Sequence, residues 1–376
     1  MSATRIVIAA GGAGWESEAI ATVEARADLR LVRRCVDVAD VLATVDSESA
    51  DVIVLSPSLP GLDLDVADRL RRSGLGLVVM REGDADAARR LDLGEATTIE
   101  ELRRRSFVAP AVAEVAPAAH GRIIAVWGPT GAPGRSSVAL SLASAWAARA
   151  VETILVDADV EGGALAQAVG LLDDVSGLVA ASRAANAGHG SQIVDHAVTV
   201  GPHLRLLTGL PRADMADQVR PAAYEAVLSA LTADAEVVVV DCGFSLDAEQ
   251  RGRGEVTVAT LVRADEIVLV GRSDPLGLAR LVRAVHDLGQ AVPGRVPHVL
   301  LNHARPTLGW NRRDVDATVH RLCGIAPEVH LPWDQQAWDA AVLAGRSPRE
   351  AAPSSPYVAR VEAFVSTLAA ERVHAT

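Results

Sequence analysis

The chain has 376 residues, room for about two to three domains. It is 49% hydrophobic but only 3% aromatic, so its cores must be built from Val, Leu, Ala and Ile. The net charge is −12, with 14 Arg against 19 Asp and Glu in residues 1–106 and 22 against 29 in the rest, so neither part is basic overall, which argues against unspecific DNA binding and leaves room only for a local basic patch.

In chain order, Arg5–Ala10 reads as a strand, Glu16–Ala25 as a helix, Leu29–Cys35 as a strand and Val38–Val45 as a helix. Asp51–Leu55 is a third strand, followed by Val66–Arg72 (helix), Leu75–Met80 (strand) and Asp84–Leu93 (helix). A short strand, Thr97–Ile99, leads into an Arg-rich helix, Ile99–Arg105. Strands and helices alternating at this pace predict a doubly wound parallel sheet. The order, with the segment DVIVLSPSLPGLD, resembles the receiver domain of response regulators, a flavodoxin-like fold. Leu59-Pro60-Gly61 fits the turn after the receiver's acceptor strand, but the acceptor position holds Ser56. Ala9-Ala10-Gly11-Gly12 stands where the acidic, Mg²⁺-holding pair belongs, and no Lys is available. The expectation is a pseudo-receiver spanning residues 1–106, used for docking or dimerisation, with Ser56 as an unsupported phosphosite. Residues 107–120, FVAPAVAEVAPAAH, have no amphipathic period and read as a semi-extended linker.

A second domain is expected over residues 121–376. It opens with Ile123–Trp127, an apolar strand, then a Gly/Pro loop from Gly128 to Gly134, then a helix from Ser136 to Ala148. A strand, a glycine loop and a helix N-terminus together form a phosphate cradle, because backbone N–H groups and the helix dipole converge on one anion. Against the pattern G-x-x-x-x-G-K-[ST], Gly134-Arg135-Ser136 replaces G-K-[ST] and Pro129 replaces the first Gly. The chain contains no lysine; all 36 basic residues are arginine, a bias that accounts for part of the Arg135 replacement.

Further strands are expected at Thr153–Val156, Leu204–Leu207, Glu236–Val240, Ile267–Val270, Val299–Leu301 and Val329–Leu331. Helices are expected at Tyr224–Leu231 and Leu276–Leu288. The continuous apolar runs suit parallel strands covered on both faces. Polar residues gather past their C-terminal ends, where such sheets bind ligands. These are Asp157-Ala158-Asp159, Asp241, Asp274-Pro275, Asn302 and Pro332-Trp333-Asp334.

This order resembles the MinD/ParA family of P-loop ATPases, whose deviant loop is K-G-G-x-G-K-[ST]-[ST]. Aligned on it the chain reads Thr130-Gly131-Ala132-Pro133-Gly134-Arg135-Ser136-Ser137. The D-x-D motif falls on Asp157-Ala158-Asp159, the Walker B strand on Val237 to Asp241 with Cys242-Gly243-Phe244, and the base-reading N-R motif on Asn302-His303. With a receiver-like N-terminus the whole is similar to the CpaE/TadZ subgroup, tied to pilus assembly and polar placement. The resemblance implies ATP and Mg²⁺ as cofactors. Residues 130–137 would wrap the phosphates, although Pro133 removes one N–H donor, and Arg135 would replace the bridging lysine. Asn302 would pair with adenine, and Pro332 would join the nucleotide contacts. Ser136 would ligate Mg²⁺ with Asp241 and Asp157 behind it. Asp159 would orient the attacking water. The family's first lysine, which reaches across a dimer, is Thr130 here, and that departure puts dimer-triggered hydrolysis in doubt.

Each motif also has a plainer reading. Asp241 can be an ordinary strand-end cap, Asp157 and Asp159 a solvated turn, and Trp310 simple packing rather than a partner contact. His298, His303 and His320 lack metal-ligand spacing. Val358, Val361, Val365 and Leu368 share one helical face, which predicts packing on the domain rather than on a membrane. Cys35, Cys242 and Cys323 are far apart and odd in number, which suggests a reducing cytoplasm. No signal peptide or membrane-span pattern is present, so the expected location is the cytoplasm, with recruitment to the membrane or a cell pole through partners.

The expected function is a weak ATPase: an ATP-bound homodimer that positions a cell-envelope machine, a pilus or secretion apparatus, without specific nucleic acid and without membrane insertion. The alternatives are a pseudo-ATPase scaffold that holds nucleotide without turnover and a ParA-like chromosome-partitioning ATPase.

Overall fold

The computed structural model describes residues 3–47, 49–81, 87–105, 107, 121–131, 134–171, 175–247 and 254–375. The chain divides into two compact units, residues 1–117 with 184–189, and residues 118–183 with 190–376. Apart from Phe107, the expected linker lies outside the described residues. Phe107 packs against the core of the first unit, under the Arg26 guanidinium.

The first unit alternates β1 (Thr4–Ala9), α1 (Glu16–Glu24), β2 (Leu29–Cys35), α2 (Val38–Asp46), β3 (Val52–Leu55), α3 (Leu64–Arg72), β4 (Gly76–Met80), α4 (Ala87–Arg90), β5 (Ala96–Thr97) and α5 (Ile99–Arg104). All pairings are parallel and the strand order is 2-1-3-4-5, the flavodoxin-like order. Local chemistry sets the helix starts. Asp37 accepts the Asp40 N–H, Asp63 accepts the Val66 N–H, and Thr98 and Glu101 form a reciprocal capping box. Ser56 is 1% exposed and its hydroxyl accepts the Ser58 N–H, which makes it part of a buried turn rather than an accessible phosphosite. After β1, Gly11 (φ +59) packs under Leu59 and Pro60, so an apolar contact occupies the place of a receiver's acidic pair.

The second unit contains β6 (Arg122–Trp127), α6 (Arg135–Ala147), β7 (Thr153–Ala158), α7 (Leu165–Ala168), α8 (Gly177–Asn186), β8 (Val198–Gly201), β9 (Leu204–Leu207), α9 (Pro221–Asp234) and β10 (Val237–Cys242). It continues with α10 (Glu255–Arg263), β11 (Glu266–Arg272), α11 (Pro275–Ala291), β12 (His298–Ala304), α12 (Arg312–Cys323), β13 (Val329–Pro332), α13 (Gln335–Ala344), α14 (Pro348–Ala351) and α15 (Pro356–Ala375). Its eight strands are ordered β13-β12-β11-β6-β10-β7-β9-β8, and every pair is parallel except β8 with β9. β6, which leads into the glycine loop, and β10 lie at the centre, and Val237 to Val240 are fully buried. Burial of each such Val contributes about 1.5–3 kcal/mol, which anchors the strand end that carries Asp241.

The α15 face is buried as its spacing predicts. Val358, Val361, Phe364, Val365 and Leu368 join the core that β6 and α6 share. Among the described residues, no helix is long and apolar enough to cross a membrane.

Candidate functional site

The strands run further than their apolar runs suggest. Asp157 belongs to β7, Asp241 to β10 and Asn302 to β12, each inside a strand rather than past its end. The register pairs Asp241 with Asp157 across the parallel β10–β7 ladder, so the two side chains leave the sheet on the same face. Asp157 is 2% exposed and Asp241 fully buried. Asp157 Oδ2 accepts the Leu165 N–H at 3.0 Å, while its Oδ1 and both Asp241 oxygens have no hydrogen-bond partner. Gly163 and Gly209 pack on the Asp157 carboxylate, and a Cβ at Gly163 would come within 2.4 Å of it.

Burial disfavours two adjacent carboxylate charges. It pushes Asp157 up to about 7, with the Asp159 charge adding to the rise and the Leu165 N–H opposing it. Burial, and next the neighbouring Asp157, hold Asp241 well above the usual carboxylate range, although Ser136 and Arg135 favour its anion.

The glycine loop leads into α6 at Gly134. Gly134 (φ 103) turns the chain into α6, a conformation that glycine adopts without strain. Among the described residues α6 has no side-chain cap and no acidic group in its first turn, so its first-turn N–H groups and dipole face the loop unneutralised. Gly131 is also left-handed, at φ +64. Ala132 and Pro133 lie outside the described residues. Thr130 and Gly131 are exposed at the loop mouth, and Ser136 and Ser137 are half-buried in the first turn of α6.

Arg135 does not point out of the loop. It donates to the carbonyls of Gly128 (3.2 Å) and Pro129 (3.3 Å) and pairs with Asp159 Oδ2 at 3.2 Å. Its Nε is buried without a partner. Asp159 Oδ1 accepts the N–H groups of Glu161 and Gly162, so this carboxylate is tied down on both oxygens.

Asn302 is 3% exposed and accepts the His303 N–H; its amide nitrogen abuts Gly134, where a Cβ would come within 2.1 Å. At this burial the amide assigned to base reading is not presented to a base. Pro332 ends β13, in register with Ala304 of β12. Between them His303 (φ 58) stacks edge-on against Trp333, with centroids 4.1 Å apart. Burial, with Arg272 and Arg305 nearby, lowers His303 to about 4, so its ring is neutral at pH 7. Trp310 is 46% exposed and lines a cleft of about 240 Å³ with Arg305, Arg312 and His330.

The structure therefore gathers Gly131, Gly134, Arg135, Ser136, Asp157, Asp159, Asp241 and Asn302 at the C-terminal ends of the central strands. Gly163, Gly209 and Arg280 belong to the same region and have no sequence signal of their own; Arg280, from α11, donates to the Gly131 carbonyl at 3.3 Å. Among the described residues, no group of three or more His, Cys, Asp or Glu is arranged to hold a metal. The donors that do converge, the Ser136 hydroxyl and three unpartnered carboxylate oxygens, fit a hard cation such as Mg²⁺ that also takes oxygens from its ligand.

No protein-family model and no curated protein matches the sequence. Solved structures do match in fold. A ParA-family ATPase from Chlorobium tepidum is similar at TM-score 0.57 and 19% identity, over 65% of this chain and 98% of its own. The cell-division ATPase MinD of Pyrococcus furiosus is similar at 0.52 and 20%, over 66% and 98%. MinD of Pyrococcus horikoshii, complexed with Mg-ADP, is similar at 0.52 and 18%, over 66% and 96%. The matched two thirds of the chain thus has the fold of the MinD/ParA ATPases.

Proposed function

We propose that this chain is a Mg²⁺-ATP-binding protein of the CpaE/TadZ kind, whose nucleotide state controls a homodimer that positions a pilus or secretion machine, and whose hydrolysis is slow. The observation that carries the nucleotide reading is the uncapped N-terminus of α6 beside the buried pair Asp157 and Asp241, whose carboxylates keep three oxygens without a hydrogen-bond partner. The helix end attracts phosphate and the carboxylates attract its counter-cation. Ser136 would be the direct protein ligand of Mg²⁺, with Asp241 and Asp157 holding its waters. Bound there, the ion would neutralise charge between the phosphates. The Mg-ADP held by the Pyrococcus horikoshii MinD supports this assignment.

The envelope role rests on the CpaE/TadZ-like pairing of a nucleotide fold with a 2-1-3-4-5 receiver-like sheet that lacks its acidic pair. The net charge of −12 favours this role over chromosome partitioning, which needs a basic face. A second reading, a scaffold that holds nucleotide without turnover, is favoured by the Arg135–Asp159 ion pair, which occupies the carboxylate assigned to the attacking water.

Phosphate release from Mg²⁺-ATP separates the two. A slow ATPase releases phosphate faster than its Asp159→Ala variant. Equal, background release from both would leave only the scaffold.

A further inference from the structure

We infer that Arg280 receives the terminal phosphate of a nucleoside triphosphate held in this loop, an inference that rests on the nucleotide reading above. Arg280 lies on α11, which Asp274 caps at the end of β11. Leu278, Leu281 and Ala284 of the same helix are buried, which leaves Arg280 exposed on its outer side. Its guanidinium rests on the loop: Nη1 donates to the Gly131 carbonyl at 3.3 Å, and a Cβ at Gly131 would come within 2.0 Å of that nitrogen. A side chain at 131 would displace the flexible guanidinium and would also be strained at φ +64.

The loop's own arginine cannot perform this task from its present position. Arg135 is committed to two loop carbonyls and Asp159. A phosphate at the N-terminus of α6 would be held by backbone N–H groups, and one further out would lie within reach of Arg280. Beside the loop a cleft of about 420 Å³ opens, lined by Pro129, Thr130, Arg280 and Arg283 together with the carboxylates of Asp247 and Asp287. The Arg280 bond to a neutral carbonyl is long and exposed. Exchange for a phosphate oxygen replaces it with a shorter, charge-assisted bond that a guanidinium fork makes bidentately. Arg280 thereby supplies, from the same chain, a cation at the loop mouth where Thr130 has none, and it distinguishes triphosphate from diphosphate.

The test is calorimetric titration of the full chain and of Arg280→Ala, Arg280→Gln and Arg280→Lys with Mg-ADP and with the non-hydrolysed analogue Mg-AMPPNP. Circular dichroism confirms that each variant is folded. The inference predicts that Ala and Gln weaken AMPPNP binding about tenfold or more while ADP binding holds, and that Lys restores part of the loss. Wild-type binding of both nucleotides, with an unchanged AMPPNP-to-ADP ratio in Arg280→Ala, overturns the role of Arg280 and leaves the nucleotide site standing. Failure of the wild type to bind either nucleotide overturns the site and the inference together.

Discussion

Arg135 and Asp159 form an ion pair at 3.2 Å beside the glycine loop, with side chains only 15% and 10% exposed. The pair unites two positions that the sequence assigns to different tasks, phosphate bridging and water orientation. With both oxygens of Asp159 engaged, the carboxylate is restrained, which accounts for the slow hydrolysis proposed above.

Lysine at position 135 has one ammonium in place of a planar fork and cannot hold Gly128, Pro129 and Asp159 together. Arg135→Lys is therefore expected to raise phosphate release about tenfold or more, a small part of the 10²–10⁴ that a positioned acid–base group contributes. Phosphate release at saturating Mg²⁺-ATP checks this. An unchanged rate would mean that the pair does not limit turnover.

The adjacent carboxylates predict a pH dependence. Asp157 binds its proton up to about pH 7 when folded, against an ordinary value of 3.8. The protonated form stabilises the fold below pH 3.8, and that contribution is lost as pH rises through about 7. Asp157→Asn, neutral at every pH, should flatten the loss and stabilise the protein at pH 8 by about 1–4 kcal/mol. Urea midpoints at pH 5 and pH 8 provide the measurement, and parallel shifts in both proteins would count against the coupling.

A second charged cluster lies at the opposite ends of these strands. His298 bonds to Glu266 at 2.7 Å and to Glu328 at 2.8 Å, and Arg122 also pairs with Glu266. Burial opposes a charge on His298, but the two glutamates outweigh it and hold the ring at about 9. The His298 bonds, then Arg122, lower Glu266 to about 2. The histidine contribution is complete below pH 6.5 and lost as pH rises through about 9; that of Glu266 is complete above pH 4.5 and lost as pH falls through about 2. His298→Ala should cost about 1.5–3 kcal/mol at pH 6 and less at pH 10. Thermal unfolding of both proteins at the two pH values tests the sign.

Leu368 on α15 is fully buried in the main core. Leu368→Ala should destabilise by about 2–5 kcal/mol. A much smaller shift of the denaturant midpoint would show that α15 is dispensable to the second unit.

The strand framework is legible in the sequence because Val237 to Val240 and their counterparts are continuous apolar runs. The aspartates are legible by order but not by depth. An apolar run ends at its first charged residue, whereas the ladder carries Asp157, Asp241 and Asn302 inside their strands. Helix α10 escapes detection because Val256, Thr257, Val258, Thr260 and Val262 are β-branched, and its helix is set by tertiary packing. β8 is a short antiparallel edge strand with Val198 and Thr199 exposed, so it lacks the buried pattern of the rest. Arg280 is one arginine among 36, and only the packing of α11 brings it over Gly131.

Nucleotide binding with Mg²⁺ is the property proposed for the loop and the buried aspartate pair. Calorimetric titration of the full chain with ATP, in the presence of Mg²⁺ and then of a chelator, tests it most directly, with Asp241→Asn beside the wild type. The expected result is saturable binding of one nucleotide per chain that weakens on chelation, and a variant whose affinity no longer responds to Mg²⁺. Absence of binding up to millimolar ATP, or binding equally indifferent to Mg²⁺ in both proteins, would contradict it.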